Sequence, residues 1–118
     1  MVLTTEGLNR MRDITKNDIY LAQAGTGTAV PLTSDTGLGS AIVLSANTPT
    51  LSVSDRQLTI VNVISSTEAN GDSVAEHIVE LGNSAANYLL MRSTTNPLTK
   101  SSTEEMIVLN RVFLRNNN

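Results

Sequence analysis

The sequence predicts an all-β domain with a short N-terminal helix. Short runs of β-branched and aliphatic residues recur along the chain, and Gly, Pro, Asn and Ser separate them. The 118 residues suffice for one domain and are too few for two ordinary ones. We therefore predict a single β-sandwich, jelly-roll- or immunoglobulin-like, with six to eight strands. It comprises a helical arm or lid over residues 1–16 and the sandwich over residues 19–115.

The composition excludes several classes of protein. The chain has no Cys, so it has neither a thiolate nucleophile nor a Cys-based zinc site. Its net charge of −3 argues against an electrostatic nucleic-acid binder. No apolar run approaches the ~20 residues that cross a bilayer, and the first residues lack a secretory signal pattern. We therefore expect no membrane association and synthesis in a cytoplasm without an export step.

The first element has the pattern of an amphipathic helix. Thr4 or Thr5 can cap it, and Leu8, Met11 and Ile14 recur at helical spacing. This helix is either a docking arm or a lid over the open end of the β-core, and the sequence does not decide between the two.

The strands follow in order, and the long stretch Ala29 to Gly39 between them is predicted as a loop. The Leu58–Ile64 run predicts burial on both faces. In Glu105–Arg115 both alternating sets carry apolar residues, which predicts a strand covered first on two faces and later on one. The predicted strands are Ile19–Ala22, Ala41–Leu44, Leu51–Val53, Leu58–Ile64, Ser73–Leu81, Tyr88–Arg92 and Glu105–Arg115.

Two motifs resemble chemical sites at first sight. Gly25-Thr26-Gly27-Thr28 lacks the Lys and the following helix of a phosphate-binding loop, so we assign its glycines a conformational role. His77 is the only imidazole and follows Glu76 in a predicted strand, where the two side chains point to opposite sides. We expect a hydrogen-bonded or surface histidine, not a catalytic one.

The acidic residues form no convincing site. Glu76 and Glu80 share a strand face roughly 13 Å apart, which is too wide for paired acid–base work. Glu68, Asn70 and Asp72 surround a Gly in a turn but lack the ligand series of a calcium loop. We predict no metal and no cofactor.

The basic residues towards the C-terminus are predicted to form salt bridges within or between subunits. These are Arg92, Lys100, Arg111 and Arg115. Together with Leu8, Met11 and Ile14 of the helix, they are the predicted docking residues.

The order of short motifs along the chain resembles small structural modules of tailed bacteriophages, of the kind found in tail-fibre, tail-collar and baseplate-associated proteins. Two departures stand out, because Asn83-Ser84 replaces the usual aromatic and no charged pair lies near residues 42–43. The motifs are Thr-x-x-Gly-Leu from Thr4, Ile19–Ala22, Gly25–Thr28, Ser34–Gly39, Glu68–Gly71, Ile78–Gly82, Leu89–Thr94 and Pro97–Lys100, before a final strand from Glu104.

The resemblance implies a non-enzymatic virion part made in the host cytoplasm. Its expected partners are other virion proteins and copies of itself, in a trimer or higher symmetric oligomer. A capsid decoration or cement protein on the head is the first alternative. A carbohydrate-binding β-sandwich module and a hydrolase are the others, and the scarcity of aromatic side chains and the single His disfavour them.

Overall fold

The computed structural model describes residues 2–42 and 45–115, and it shows six strands in two antiparallel sheets. Sheet A has the order β1-β4-β5 and sheet B the order β2-β3-β6. The predicted β-sandwich-like fold with one short helix is confirmed. The elements are α1 (Thr5–Asp18), β1 (Ile19–Gly25), β2 (Thr50–Ser54), β3 (Gln57–Ile64), β4 (Ser73–Gly82), β5 (Asn87–Thr99) and β6 (Met106–Phe113).

The helix closes one end of the sandwich. The side chain of Thr4 caps it by accepting a hydrogen bond from the Gly7 N–H. Leu8 is only 2% exposed, and α1 contacts β3 and β4, one strand from each sheet. Arg12 donates to the Asp55 carbonyl in the β2–β3 turn. Within this chain the helix therefore acts as a lid.

The core lies between the sheets in two apolar clusters. Ala22 of β1 and Val79 of β4 pack with Leu58 and Ile60 of β3 near the helical end. The other cluster lies towards the opposite end and combines Ala24, Ile42, Ile64, Ala69 and Val74. Since aromatic residues are few, aliphatic side chains supply most of this burial.

Two turns with the same four residues, Ser-Ser-Thr-Glu, leave β3 and precede β6. In Ser65–Glu68 the Glu68 carboxylate accepts from the Ser65 N–H at 2.9 Å, and in Ser101–Glu104 the Glu104 carboxylate accepts from the Ser101 N–H at 3.1 Å. In both turns the first Ser hydroxyl lies 3.0 Å from the Thr hydroxyl. The repeat escaped the sequence analysis because it is only four residues long.

The connection between β1 and β2 follows the outer edge of β1. The Ile42 N–H donates to the Ala24 carbonyl, and Asn47 and Ala22 exchange two backbone hydrogen bonds of 2.8 Å. The strand predicted at Ala41–Leu44 lies partly outside the described residues. Its described part forms only an isolated bridge between Ala41 and Gly25.

Candidate assembly interface

The outer face of sheet A is covered by the chain's own long loop, which the Glu76 carboxylate holds in place. This carboxylate accepts hydrogen bonds from the backbone N–H groups of Gly27, Gly39 and Ser40 at 2.7–2.8 Å. It also accepts from Arg92 Nε at 3.0 Å. Glu76 is 1% exposed, so the Gly27 N–H of the Gly25–Thr28 motif and the Gly39 and Ser40 N–H groups bind an internal carboxylate.

The glycines of this loop are required by the close approach of Glu76. A Cβ atom on Gly27 would lie 2.3 Å from Glu76 Oε2, and one on Gly25 would lie 2.5 Å from the Ser40 carbonyl oxygen. Gly37 in the same loop has nothing within 4 Å of the corresponding position. The role of Gly25 and Gly27 is therefore to let the backbone approach the carboxylate.

Arg92 extends the cluster to the middle of the loop. Its Nη1 lies 3.1 Å from the Asp35 carboxylate, and its side chain is 4% exposed. Burial by itself would raise the pKa of Glu76, but the three backbone donors and Arg92 outweigh it and lower that pKa. The Leu32 N–H and Arg92 likewise lower the pKa of Asp35. Both carboxylates therefore remain charged and hold the loop.

His77 forms a polar bridge between the sheets. Its Nε2 lies 3.0 Å from the Asn62 amide nitrogen on β3, and its Nδ1 lies 3.4 Å from that of Asn110 on β6. Burial lowers the pKa of His77 to about 4, so the imidazole is neutral at physiological pH. The hydrogen-bonded histidine predicted from the sequence is present, and its side-chain partners are amides.

Within residues 2–42 and 45–115, no loop covers the outer face of sheet B in this way. The register of β3 and β6 places Val61 opposite Leu109 and Val63 opposite Ile107. The exposed fractions are 65% for Ile107, 50% for Leu109 and 61% for Phe113. We call this surface the bare face, and it consists of Val61, Val63, Ile107, Leu109 and Phe113.

The bare face corrects two expectations from the sequence. The predicted two-sided burial of Leu58–Ile64 is wrong for this chain, since only alternate positions of β3 are buried. The early part of Glu105–Arg115 was also predicted to be covered on both faces, and β6 instead alternates between half-buried and exposed along its length. Both patterns would fit a sheet covered on each side, and the described part of the chain covers only the inner side of sheet B.

The predicted docking residues divide into two groups. Leu8, Arg92 and Lys100 are buried, so these three are not part of an exposed docking surface. Lys100 Nζ donates to Asn70 Oδ1 at 2.7 Å and to the Ser101 carbonyl, which joins the two turns at one end of the sandwich. The exposed members are Met11, Ile14, Arg111 and Arg115.

The three predicted helix residues do not share one environment, because the buried side of the helix is narrower than the apolar pattern. Leu8 packs inward, whereas Met11 and Ile14, three and six residues later, lie on the flank exposed to solvent. The long side chain of Arg12 covers the position next to Leu8 on the buried side and is 14% exposed. Sequence periodicity alone did not distinguish these two sides.

The turn considered for calcium uses its oxygens internally. The Glu68 carboxylate accepts from the Ser65 N–H, and the side-chain oxygen of Asn70, Oδ1, accepts from Lys100 Nζ. Across residues 2–42 and 45–115, no group of three or more His, Cys, Asp or Glu side chains is placed to hold a metal ion. In the same residues, no helix is both long and apolar enough to span a bilayer.

Comparisons with protein-family models, curated proteins and solved structures give no match. The bare face is the feature of the described residues that bears most directly on function.

Proposed function

We propose that this chain is a non-enzymatic structural subunit of a tailed-phage virion, associated with the tail fibre, collar or baseplate. It works by packing against neighbouring virion proteins and copies of itself. The supporting observation is the bare face, where five apolar side chains lie together on one side of sheet B. Contiguous exposed apolar surface of this kind is typical of protein interfaces.

The chemistry of this face suits a subunit contact. It is built on two paired strands in regular register, so its side chains are held in fixed positions. Arg111 and Thr59 lie opposite each other within it and provide polar groups beside the apolar ones. Interfaces between proteins usually combine apolar side chains with polar ones.

The motif order described above supports the virion assignment, and the bare face supports the mode of action. A virion subunit repeats modest contacts by symmetry, so a small apolar face on each copy is sufficient for a closed oligomer. Packing it against a neighbour removes its apolar area from water, which is the main favourable term in such association.

The proposal is tested on particles. An antibody against the chain, applied to purified phage particles from cells that produce it, is expected to label the tail end in negative-stain images. Labelling distributed over the head would favour the decoration or cement protein instead. Absence of the chain from purified particles, checked by mass spectrometry of their proteins, would overturn the virion role.

A further inference from the structure

The four lateral edges of the two sheets are protected unequally. Segments 40–42 and 45–47 cover the edge of β1, and β2, with five residues, offers a shorter edge than the eight-residue β6. The edge of β5 carries Pro97 and two register irregularities. These are the devices by which proteins prevent unwanted strand pairing.

The edge of β6 carries none of these devices. Its eight residues pair with β3 in continuous register, without a bulge, and contain neither Pro nor Gly. No strand of the described residues pairs with its other side. A regular edge strand of this length offers a row of free backbone donors and acceptors.

We propose that β6 pairs antiparallel with β6 of a second copy, about a two-fold axis through Asn110. The inference specifies one contact of the self-association that the proposed function assumes. Pairing joins the two B sheets into one six-stranded sheet. It also places the bare faces of the two copies side by side, so that they form one larger apolar surface.

The side-chain pattern of β6 selects this register. Directly opposed residues of two paired strands point to the same side of a sheet. A two-fold axis at a residue of β6 therefore places exposed residues opposite exposed ones, whereas an axis between two residues places exposed residues opposite half-buried ones. Centring on Asn110 places Ile107 opposite Phe113 of the second copy, and Val108 opposite Val112. Both are apolar pairs, one on each face of the joined sheet.

The neighbouring registers are less favourable. Centring on Arg111 places two like charges directly opposite each other, which destabilises a strand pair. Centring on Leu109 places Ile107 opposite Arg111 and Glu105 opposite Phe113 of the second copy. The Asn110-centred register has one such mixed contact, Leu109 opposite Arg111. Centring on Val108 pairs Ile107 with Leu109 and Glu105 with Arg111, but the two strands then overlap only over residues 106–110, against 107–113 in the Asn110-centred register. Phe113 is left opposite Thr103, outside the strand.

The charges beyond the strand ends agree with the Asn110-centred register. Glu105 precedes β6 and Arg115 follows it, and both are exposed. In this register Glu105 of each copy lies opposite Arg115 of the other, so the two-fold axis generates the favourable pair twice. The strand thus carries complementary charges at its two ends, as a self-pairing strand requires.

The second copy would also lie along the open side of the sandwich. A groove of about 420 Å³ lies between β5 and β6, lined by Val74, Leu98, Met106 and Val108 among others. Its lining is mainly apolar side chains from the two sheets. A strand added to the edge of β6 lies beside this groove and shields it from water.

Single cysteines test the register, because the natural chain has none. In the full-length protein, an equimolar mixture of I107C and F113C is expected to give a disulfide-linked heterodimer after mild oxidation. Opposed positions lie about 5 Å apart at Cβ, which a disulfide can bridge. Each variant alone is expected to give little linked dimer, because its own thiols lie roughly 20 Å apart across the axis.

Two results would overturn the inference. One is the absence of the mixed dimer when far-ultraviolet circular dichroism shows both variants folded. The other is linkage of L109C to F113C or to I107C, which would indicate the Arg111- or the Val108-centred register.

A charge exchange supplies a test without cysteines. R115E places two acidic residues opposite each other and should weaken the dimer about tenfold at low salt, whereas E105R/R115E should restore it. If R115E leaves dimerisation unchanged, or if the double variant fails to restore it while folded, the Asn110-centred pairing is wrong.

The proposed function fails by a different result, namely the absence of the chain from purified particles. An odd-numbered oligomer in which every β6 edge is equivalent would contradict the pairing alone.

Discussion

The two sheets differ in what covers their outer faces. Sheet A is covered by the long β1–β2 loop, which Glu76 and Arg92 fix to the strands beneath it. The outer face of sheet B presents Ile107, Leu109 and Phe113 to solvent. In the first case one buried carboxylate organises the cover, and in the second none of the described segments lies over the sheet. The proposed assembly therefore uses the sheet that the long loop does not cover.

The largest expected effect tests the cover of sheet A. E76A removes the acceptor for three backbone N–H groups and leaves Arg92 buried with only Asp35. Loss of one partner from a buried pair is costly, and we expect a decrease of about 2–4 kcal/mol in the free energy of unfolding. Urea denaturation measures it. The control E80A removes a carboxyl on the same strand outside the cluster, and an equal loss in both variants would contradict the role of Glu76.

Added volume beneath the same loop should have the next largest effect. In G27A the new methyl group overlaps the Glu76 carboxylate, so the loop must shift, and we expect a loss of about 1–3 kcal/mol. G37A has open space and no positive φ, so its stability should equal or slightly exceed that of the natural chain. Thermal unfolding of both variants compares them. Similar destabilisation by both changes would show that the two positions are equally tight.

Acid should weaken the junction between the two sheets. Because burial lowers the pKa of His77 to about 4, the unfolded chain binds this proton more readily than the folded one. The stability that neutral His77 contributes to the free energy of unfolding is fully present above pH 6.5, and it is lost as the pH falls towards 4. We expect about 2 kcal/mol less stability at pH 5 than at pH 7. In H77Q the decrease over this range should disappear, and its persistence would assign it to other groups.

The smallest expected effect on stability concerns the bare face. Val63 is 40% exposed and lies on the outer side of β3. V63D should change the stability of the monomer by at most about 0.5 kcal/mol, since exposed positions tolerate substitution. V30D, at an exposed Val of the long loop, is the matched control. A loss of several kcal/mol in V63D alone would show that Val63 belongs to the core.

Local chemistry accounts for what the sequence predicted correctly. The Thr4 cap, the Asn70-Gly71 turn with a positive φ at Gly71, and the extent of β4 depend on neighbouring residues. The fold class follows from the spacing of such signals. The packing of the helix was not predictable in this way. It depends on the burial of Leu8 and on contacts with β3 and β4, which are distant in sequence, and the spacing of apolar residues within the helix does not show them.

The parts that sequence analysis missed involve distant residues. Glu76 and Arg92 look like ordinary strand charges until a loop almost 50 positions earlier folds over them. The bare face was missed because the apolar residues in both alternating sets of Glu105–Arg115 were interpreted as burial within the chain. The available signal was the mismatch between two apolar faces and only one other sheet to cover them.

The most direct test of the account is the mass in solution of the natural chain, V63D and V30D, measured by light scattering at equal concentrations. We predict that the natural chain and V30D form the same symmetric oligomer, whereas folded V63D has a lower mass. Equal masses for all three proteins would contradict the claim that the outer face of sheet B is an assembly surface.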